Sequence, residues 1–222
     1  LDDGSCDYCT PGDINFDGVF TVTDIVQLVN FILPGDEWNG GEPPSEDQQC
    51  AADVNGDENV NILDIVSLTH LILSNSLFSG QNTHAVTLTY GNGNMSYTAD
   101  GDIAGIQIEV IGDYSIVGNT LPSGWQIYYR EGTILLFSLD GSFLINQELF
   151  QYIGDFTIIS AIAADWYGSS INVNSTFCTE LGDVTGDGEI NVLDLVQITS
   201  SILDISTIDY PCAADFNGDG EV

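Results

Sequence analysis

Two kinds of hydrophobic pattern divide the chain. Residues 12–33, "GDINFDGVFTVTDIVQLVNFIL", open with a polar run and close with apolar positions at helical spacing: Ile25, Val26, Leu28, Val29, Ile32 and Leu33. Residues 52–73, "ADVNGDENVNILDIVSLTHLIL", and 182–203, "GDVTGDGEINVLDLVQITSSIL", align with them without a gap. The predicted unit is an acidic loop followed by one helix, repeated three times. The closing "ADFNGDGEV" (214–222) supplies the first part of a fourth unit. Units one and two make an N-terminal pair; unit three and the fragment make a C-terminal pair. Most of each apolar helix face is expected to pack against the other helix of its pair. Ile62-Leu63 and Val192-Leu193, just ahead of the last loop position, are harder to use up in this way and are candidate partner contacts.

Between the pairs the period shifts from helical to alternating. "HAVTLTYG", "AGIQIEVIG", "WQIYYREGTILLFSLDG" and "FTIISAIAA" are runs rich in Ile, Val, Tyr, Phe and Thr, separated by "GNGN", "ADGD" and "LDGS". Ile106-Gln107-Ile108-Glu109-Val110 alternates, which predicts a strand with one buried and one wet side. So many short strands within residues 82–178 predict a β-sandwich. The expected fold class is mixed: a central all-β sandwich over 82–178, flanked by small helical modules over 1–75 and 179–222. Residues 34–49, "PGDEWNGGEPPSEDQQ", read as a long polar loop inside the first pair, with Pro34 ending the preceding helix.

Charge alters this picture more than composition does. The 222 residues are 43% hydrophobic, enough to bury cores, yet 34 acidic residues face a single cation, Arg130, for a net charge of −33. Such a polyanion repels nucleic acid and anionic membranes, so neither is an expected partner. It fits a salt-adapted surface, a chain that expects bound cations, or both. No run approaches the roughly 18 apolar residues of a membrane span. Leu1 is neither an initiator Met nor the start of a signal peptide, so a mature or trimmed chain is expected.

The five cysteines form no zinc quartet, which favours disulfides and an oxidising, extracellular setting. "QQCAADVNGD" recurs as "YPCAADFNGD", and "YCTPGD" as "FCTELGD". The repeats therefore suggest Cys9–Cys50 and Cys178–Cys212, one bridge per pair, each stabilising its module by roughly 2–4 kcal/mol. Cys6 is left over, able to compete with Cys9 or to bridge to another chain. As a redox or metal pair, Cys6-x-x-Cys9 lacks a second pair.

Candidate chemistry lies in the loops, where oxygen-bearing residues recur at positions 1, 3, 5, 9 and 12. The first loop offers Asp13, Asn15, Asp17, Thr21 and Asp24. The second offers Asp53, Asn55, Asp57, Asn61 and Asp64, and the third Asp183, Thr185, Asp187, Asn191 and Asp194. Position 7 adds a backbone carbonyl from Val19, Asn59 or Glu189. The fragment supplies Asp215, Asn217 and Asp219, with the Glu221 carbonyl at its seventh position. Hard oxygens without His or Cys point to calcium rather than zinc or copper, in three full sites and one partial site. Gly18 and Gly188 hold position 6, where such a loop turns sharply, whereas the second loop has Glu58 there.

Like charges about 4 Å apart repel by some 1–4 kcal/mol at intermediate dielectric. Three carboxylates converging in one loop are therefore expected to need a divalent cation, which then acts as a folding ligand. The fourth loop has two readings: the natural chain continues, or an acidic side chain of a neighbouring subunit completes it. Asp2, Asp3 and Asp7 of "LDDGSCDY" are candidates for the second.

A twelve-residue calcium loop ending in Asp, followed by a single helix and duplicated, resembles the dockerin module over residues 9–73 and 178–222. An ordinary helix–loop–helix sensor would close its loop with Glu and carry a helix ahead of it. "IAGIQIEV", "GTILLFSLDG" and "FTIISAIAAD", in that order, resemble the cohesin β-sandwich. In these families a cohesin binds a dockerin through a sheet face, and dockerins hold extracellular assemblies together. The resemblance implies assembly rather than catalysis.

No catalytic constellation stands out. His70 and His84 read as structural, and the patterned Asp residues that a glycosidase pair would need are assigned to the loops. Trp38, Trp125 and Trp166 are candidates for a sugar platform, with packing the favoured role. "NMS" (94–96) and "NST" (174–176) are glycosylation-type triplets. The leading expectation is a secreted, calcium-stabilised structural subunit, not an enzyme. One chain with both halves of a recognition pair would self-associate head-to-tail, as a filament or surface layer. The alternatives are the non-catalytic anchoring tail of a larger extracellular enzyme and a carbohydrate-binding module.

Overall fold

Each repeat helix starts at the last residues of its loop. The computed structural model describes residues 9–33, 44–73, 83–144, 147–208 and 210–216. Helix α1 (Val22–Ile32) is capped by Thr21, whose hydroxyl accepts the Thr23 N–H, while Asp24 accepts the Thr21 N–H. Helices α3 (Ile62–Ile72) and α4 (Val192–Ile202) repeat this box with Asn61/Asp64 and Asn191/Asp194. The last loop position and the third helical position are thus one residue, which ties helix nucleation to loop closure.

A further helix, α2 (Glu46–Ala52), corrects the expected loop over 34–49. Ser45 and Gln48 form a capping box that starts a helix directly after Pro44. The rest of that stretch, 34–43, lies outside the described residues. A single 3₁₀ turn, Pro211–Ala213, holds the equivalent place ahead of the fourth loop. These segments carry Cys50 and Cys212, which pair with Cys9 and Cys178 as the repeats suggest, at Cα separations of 6.1 and 5.8 Å.

The sandwich has seven strands: β1 (Ala85–Gly91), β2 (Asn94–Ala99), β3 (Gly105–Asn119), β4 (Trp125–Arg130), β5 (Thr133–Ser138), β6 (Glu148–Ala164) and β7 (Ser170–Phe177). Their order is β2-β1-β7-β6-β3-β5-β4, with a further β2–β6 pairing. Strand β6 meets β2 near its start (Asn94↔Gln151) and β7 at its end (Ala163↔Ile171). The long antiparallel pair β3–β6 therefore passes from one layer to the other. Register shifts at Glu109/Val110 and Ile116/Gly118 accompany the bend. Gly112 and Gly154 lie between those shifts at φ +147° and +87°, and a Cβ on either would collide with the Asp155 or Asp113 carbonyl oxygen opposite.

Ile106, Ile108, Ile134, Leu136, Leu88, Met95 and Phe150 fill the space between the layers. The alternation of 106–110 holds, but its second side is not wet. All six residues of β5 are buried, because the outer face of β3, β5 and β6 is covered by the N-terminal repeat pair. Ile14, Ile25, Leu28 and Val29 pack with Ile65 and Leu68, and the same core continues into Leu135, Phe137, Ala164 and Trp166 of the sandwich.

Candidate metal centres and docking face

In the three described loops the first and last aspartates gather backbone donors from opposite ends. Asp13 accepts the N–H groups of Asp17 (3.0 Å) and Gly18 (2.9 Å), while Asp24 accepts those of Ile14 (3.0 Å), Asn15 (3.2 Å) and Thr21 (3.0 Å). Asp53 accepts from Gly56, Asp57 and Glu58, and Asp64 from Val54, Asn55 and Asn61. Asp183 accepts from Gly186, Asp187 and Gly188, and Asp194 from Thr185 and Asn191. Position 5 turns to position 7: Asp17 accepts the Val19 N–H, Asp57 that of Asn59 and Asp187 that of Glu189. Positions 3 and 5 also meet directly, the Asn15 amide donating to Asp17 and the Asn55 amide to Asp57.

Among the described residues no group of three or more His, Cys, Asp or Glu side chains gathers as a metal-holding set. Each of these loops is a mixed set of Asp, Asn and Thr oxygens whose end carboxylates are held by backbone N–H groups. The position 9 side chains carry a role the sequence reading missed. Thr21, Asn61 and Asn191 accept the N–H two residues on (3.2, 2.8 and 2.8 Å) and so cap their helices. The signal was present as Thr/Asn-x-x-Asp.

The donor set fits a hard divalent cation. Asp13, Asp24, Asp64, Asp183 and Asp194 are all buried, and buried carboxylates are normally paired with positive charge. The chain has no Lys, and its one Arg ends β4. Burial pushes the Asp64 carboxyl up to about 6, against the pull of N–H donors at Asn61, Asn55 and Val54. For Asp194 the balance reverses: the Asn191 N–H leads, and the carboxyl sits below its ordinary range.

Backbone strain differs among the loops. Positions 4 and 6 are left-handed in the three described loops. The third loop has glycine at both, Gly186 and Gly188, whereas the first places Phe16 (φ +58°) at position 4 and the second Glu58 (φ +69°) at position 6. Non-glycine residues there are strained.

Helix α3 is seated on the outer face of the sandwich. Ile62, Leu63 and Val66 are buried against Ala104, Leu135, Phe137, Ala164 and Trp166. Gly105 clears the strand for them, since a Cβ there would stand 2.8 Å from Ile62 Cγ1 and 3.0 Å from Val66 Cγ2. The Ile62 N–H, an orphan donor of the first helical turn, donates to Gln107 Oε1 at 3.1 Å. Gln107 is held in turn by Glu109 (2.9 Å), which also accepts from Thr133 (2.8 Å). His70 Nδ1 lies 3.0 Å from the Trp166 carbonyl oxygen, in the structural role expected of it. Ile62 and Leu63, candidate partner contacts in the sequence, thus find their partner within the chain.

Helix α4 carries aliphatic residues at the equivalent positions and has no such cover among the described residues. Val192, Leu193, Leu195 and Val196 are 67, 59, 60 and 55% exposed, and Asp194 is its one buried residue. The core beside it is small: Val184, Ile208, Ala213 and Ala214, with Ile198 and Tyr210 partly buried.

Trp125 is buried between the layers, its Nε1–H donating to the Ser142 carbonyl (2.8 Å), and Trp166 is buried under α3. Neither presents a ring to a sugar, which removes the described part of that platform. His84 is exposed at the start of β1. Asp215 is half-buried. Asp2, Asp3, Cys6, Asp7, Trp38, Asn217, Asp219 and Glu221 lie outside the described residues. Among the described residues no helix is long and apolar enough to cross a membrane.

Residues 11–73 and 181–222, which hold both loop–helix segments, match the dockerin type I domain. Similar solved structures include the Coh-OlpC–Doc435 complex, described as a novel type I cohesin–dockerin complex from Clostridium thermocellum; it is 12% identical, covers 47% of this chain and 99% of that one, and has a TM-score of 0.27. The cohesin module of the family 33 glycoside hydrolase from Clostridium perfringens is 9% identical, with 43% and 100% covered and a TM-score of 0.25. The CaDoc0917–CaCohA2 complex is 11% identical, with 41% and 94% covered and a TM-score of 0.28. Likenesses this loose carry no argument, and the sandwich rests on its own strand pairing. No curated protein sequence matches the chain. Dockerin domains in general bind calcium and are non-catalytic modules of protein–protein assembly.

Proposed function

We propose that the chain is a secreted, calcium-stabilised structural subunit that associates head-to-tail with further copies of itself, as a filament or surface layer. Its working parts are residues 1–75, 82–178 and 179–222. Three loops would each hold one calcium ion, through Asp13, Asn15, Asp17, the Val19 carbonyl, Thr21 and Asp24 and their equivalents in the second and third loops. Asp215, Asn217, Asp219 and the Glu221 carbonyl would form a partial fourth site. A bound ion neutralises the buried carboxylates and so fastens each loop to the helix it starts.

The observation that carries this reading is the seat of α3. It supplies an example, within one molecule, of a repeat helix fitted to the sandwich, and α4 offers the matching residues to solvent. Val192, Leu193 and Val196 stand where Ile62, Leu63 and Val66 stand in α3. The α4 of one copy exchanges with α3 on the β3–β5–β6 face of the next. A contact between two different surfaces propagates rather than closing on itself.

Sizing across a concentration series, with calcium and with chelator, tests the reading. Assemblies that grow with concentration in calcium and fall to monomer in chelator are the expected result. Monomer at every concentration in calcium would overturn self-association. It would favour a non-catalytic anchor, whose exposed α4 binds a sheet on a separate protein because its own sheet is filled. Helix content and size both unmoved by chelator would overturn the calcium role.

A further inference from the structure

We propose that the outer face of the β2–β1–β7 layer carries N-linked glycans at Asn94 and Asn174. Both head an Asn-x-Ser/Thr triplet, Asn94-Met95-Ser96 and Asn174-Ser175-Thr176, with no Pro between. Both asparagines are exposed. On a strand the residue two positions on shares a face, so each asparagine stands beside its own hydroxyl. The opposite side is settled by Met95, Leu88 and Ile171, which are buried between the layers.

The face itself is unlike the rest of the molecule. In a chain with 34 acidic residues, β1, β2 and β7 contain no charged residue. Their outward side chains form hydroxyl and amide rows: Thr98, Thr87 and Asn174 align across the strands, as do Ser96, Thr89 and Thr176. Strand β7 pairs with β6 only through Ile171 and Ser170. Its edge beyond that point adjoins no described strand on one side. An uncharged face with an open strand edge invites unwanted pairing. Sugars at Asn174 on that edge, and at Asn94 two strands away, cover it without charge.

The two positions leave room for separate glycans. Asn94 pairs with Gly91 and Asn174 with Thr87, on either side of β1. Four residues along and two strands across amount to a separation on the order of 16 Å. Asn94 lines a groove of about 460 Å³ together with Leu181, Pro211 and the acidic Glu148 and Asp215, with space for a first sugar.

The donor is a lipid-linked oligosaccharide. The asparagine Nδ2 forms a bond to the anomeric carbon and gives up one proton. The bond from that carbon to the lipid phosphate oxygen breaks, and its electron pair leaves with the phosphate.

Protein purified from its native source is digested with pepsin or Asp-N, because one Arg and no Lys leave trypsin little to cut, and the peptides are sequenced by mass spectrometry. The expected result is whole-sugar mass increments on Asn94 and Asn174. In the native host, S96A and T176A keep the asparagines and each lose the increment at their own site alone. Both peptides at unmodified mass in the native protein overturn the proposal, and one unmodified peptide overturns it for that position. This outcome is independent of whether the chain assembles through α4.

Discussion

Helices α3 and α4 are eleven residues each, start from the same Asn–Asp capping box and carry aliphatic residues at the same repeat positions. In α3 those residues are buried against a sheet; in α4 they face water. An aliphatic stripe is therefore an offer of contact, and whether it is core or interface depends on what the rest of the chain brings to it. The two helices also differ electrostatically. Asp64 is held up to about 6 by burial, while Asp194, on the helix that packs on nothing large, is lowered by its N–H donors.

The largest expected break between them is on calcium removal. With chelator, α4 should lose its amide hydrogen-exchange protection entirely, since among the described residues its loop and a small core are what hold it, whereas α3 should keep much of its protection from the sheet. Equal losses would show that the sheet contributes little to α3. Next in size, Ile62→Ala should cost about 2–4 kcal/mol in denaturant unfolding, while Val192→Ala should change stability by less than about 0.5 kcal/mol. Val192→Asp should leave the monomer folded and abolish concentration-dependent assembly. Comparable destabilisation by the two alanines would contradict the exposure of α4.

Gly105→Ala should cost about 1–3 kcal/mol by pushing Ile62 and Val66 off the strand, with weaker protection in α3 and none lost in α4. pH gives a smaller contrast, best read in calcium-free protein by exchange at each helix. The folded-state carboxyl of Asp64 lies above its ordinary 3.8, so the native state binds that proton more tightly than the unfolded one. Its contribution therefore rises as pH falls from 7 through 6 toward 4. Asp194 has the opposite shift, so its contribution is present above the ordinary carboxylate value and is lost as pH falls through the lowered one. With calcium present the sign for α3 reverses, because the proton competes with the ion at Asp64. The smallest effect is local: Glu58→Gly should relieve a left-handed residue and stabilise the second loop by about 1 kcal/mol, measured as tighter calcium binding there.

Much of the candidate site was legible because it is local. The oxygens at positions 1 to 12 lie within one turn of chain, and the repeats that reveal them also reveal Cys9–Cys50 and Cys178–Cys212. Local signals were also missed. Ser45-x-x-Gln48 starts α2 where a loop was expected, and Thr21, Asn61 and Asn191 cap helices although read only as ligands. The indole rings illustrate the converse, for nothing near Trp125 or Trp166 in sequence shows that one lies between two layers and the other under a helix.

By itself the sequence determined the acidic loops, the helices that follow them, the strand-forming middle and the cysteine pairing, all of which depend on residues close together or on repetition. Only the tertiary structure decided that α3 lies on β3, β5 and β6 while α4 does not. That choice depends on Gly105 leaving space, Gln107 standing opposite the Ile62 N–H, and Leu135 and Phe137 facing outward. These groups are remote in sequence from the helix they receive, and burial of apolar surface depends on where surfaces meet, which no pattern within one helix contains.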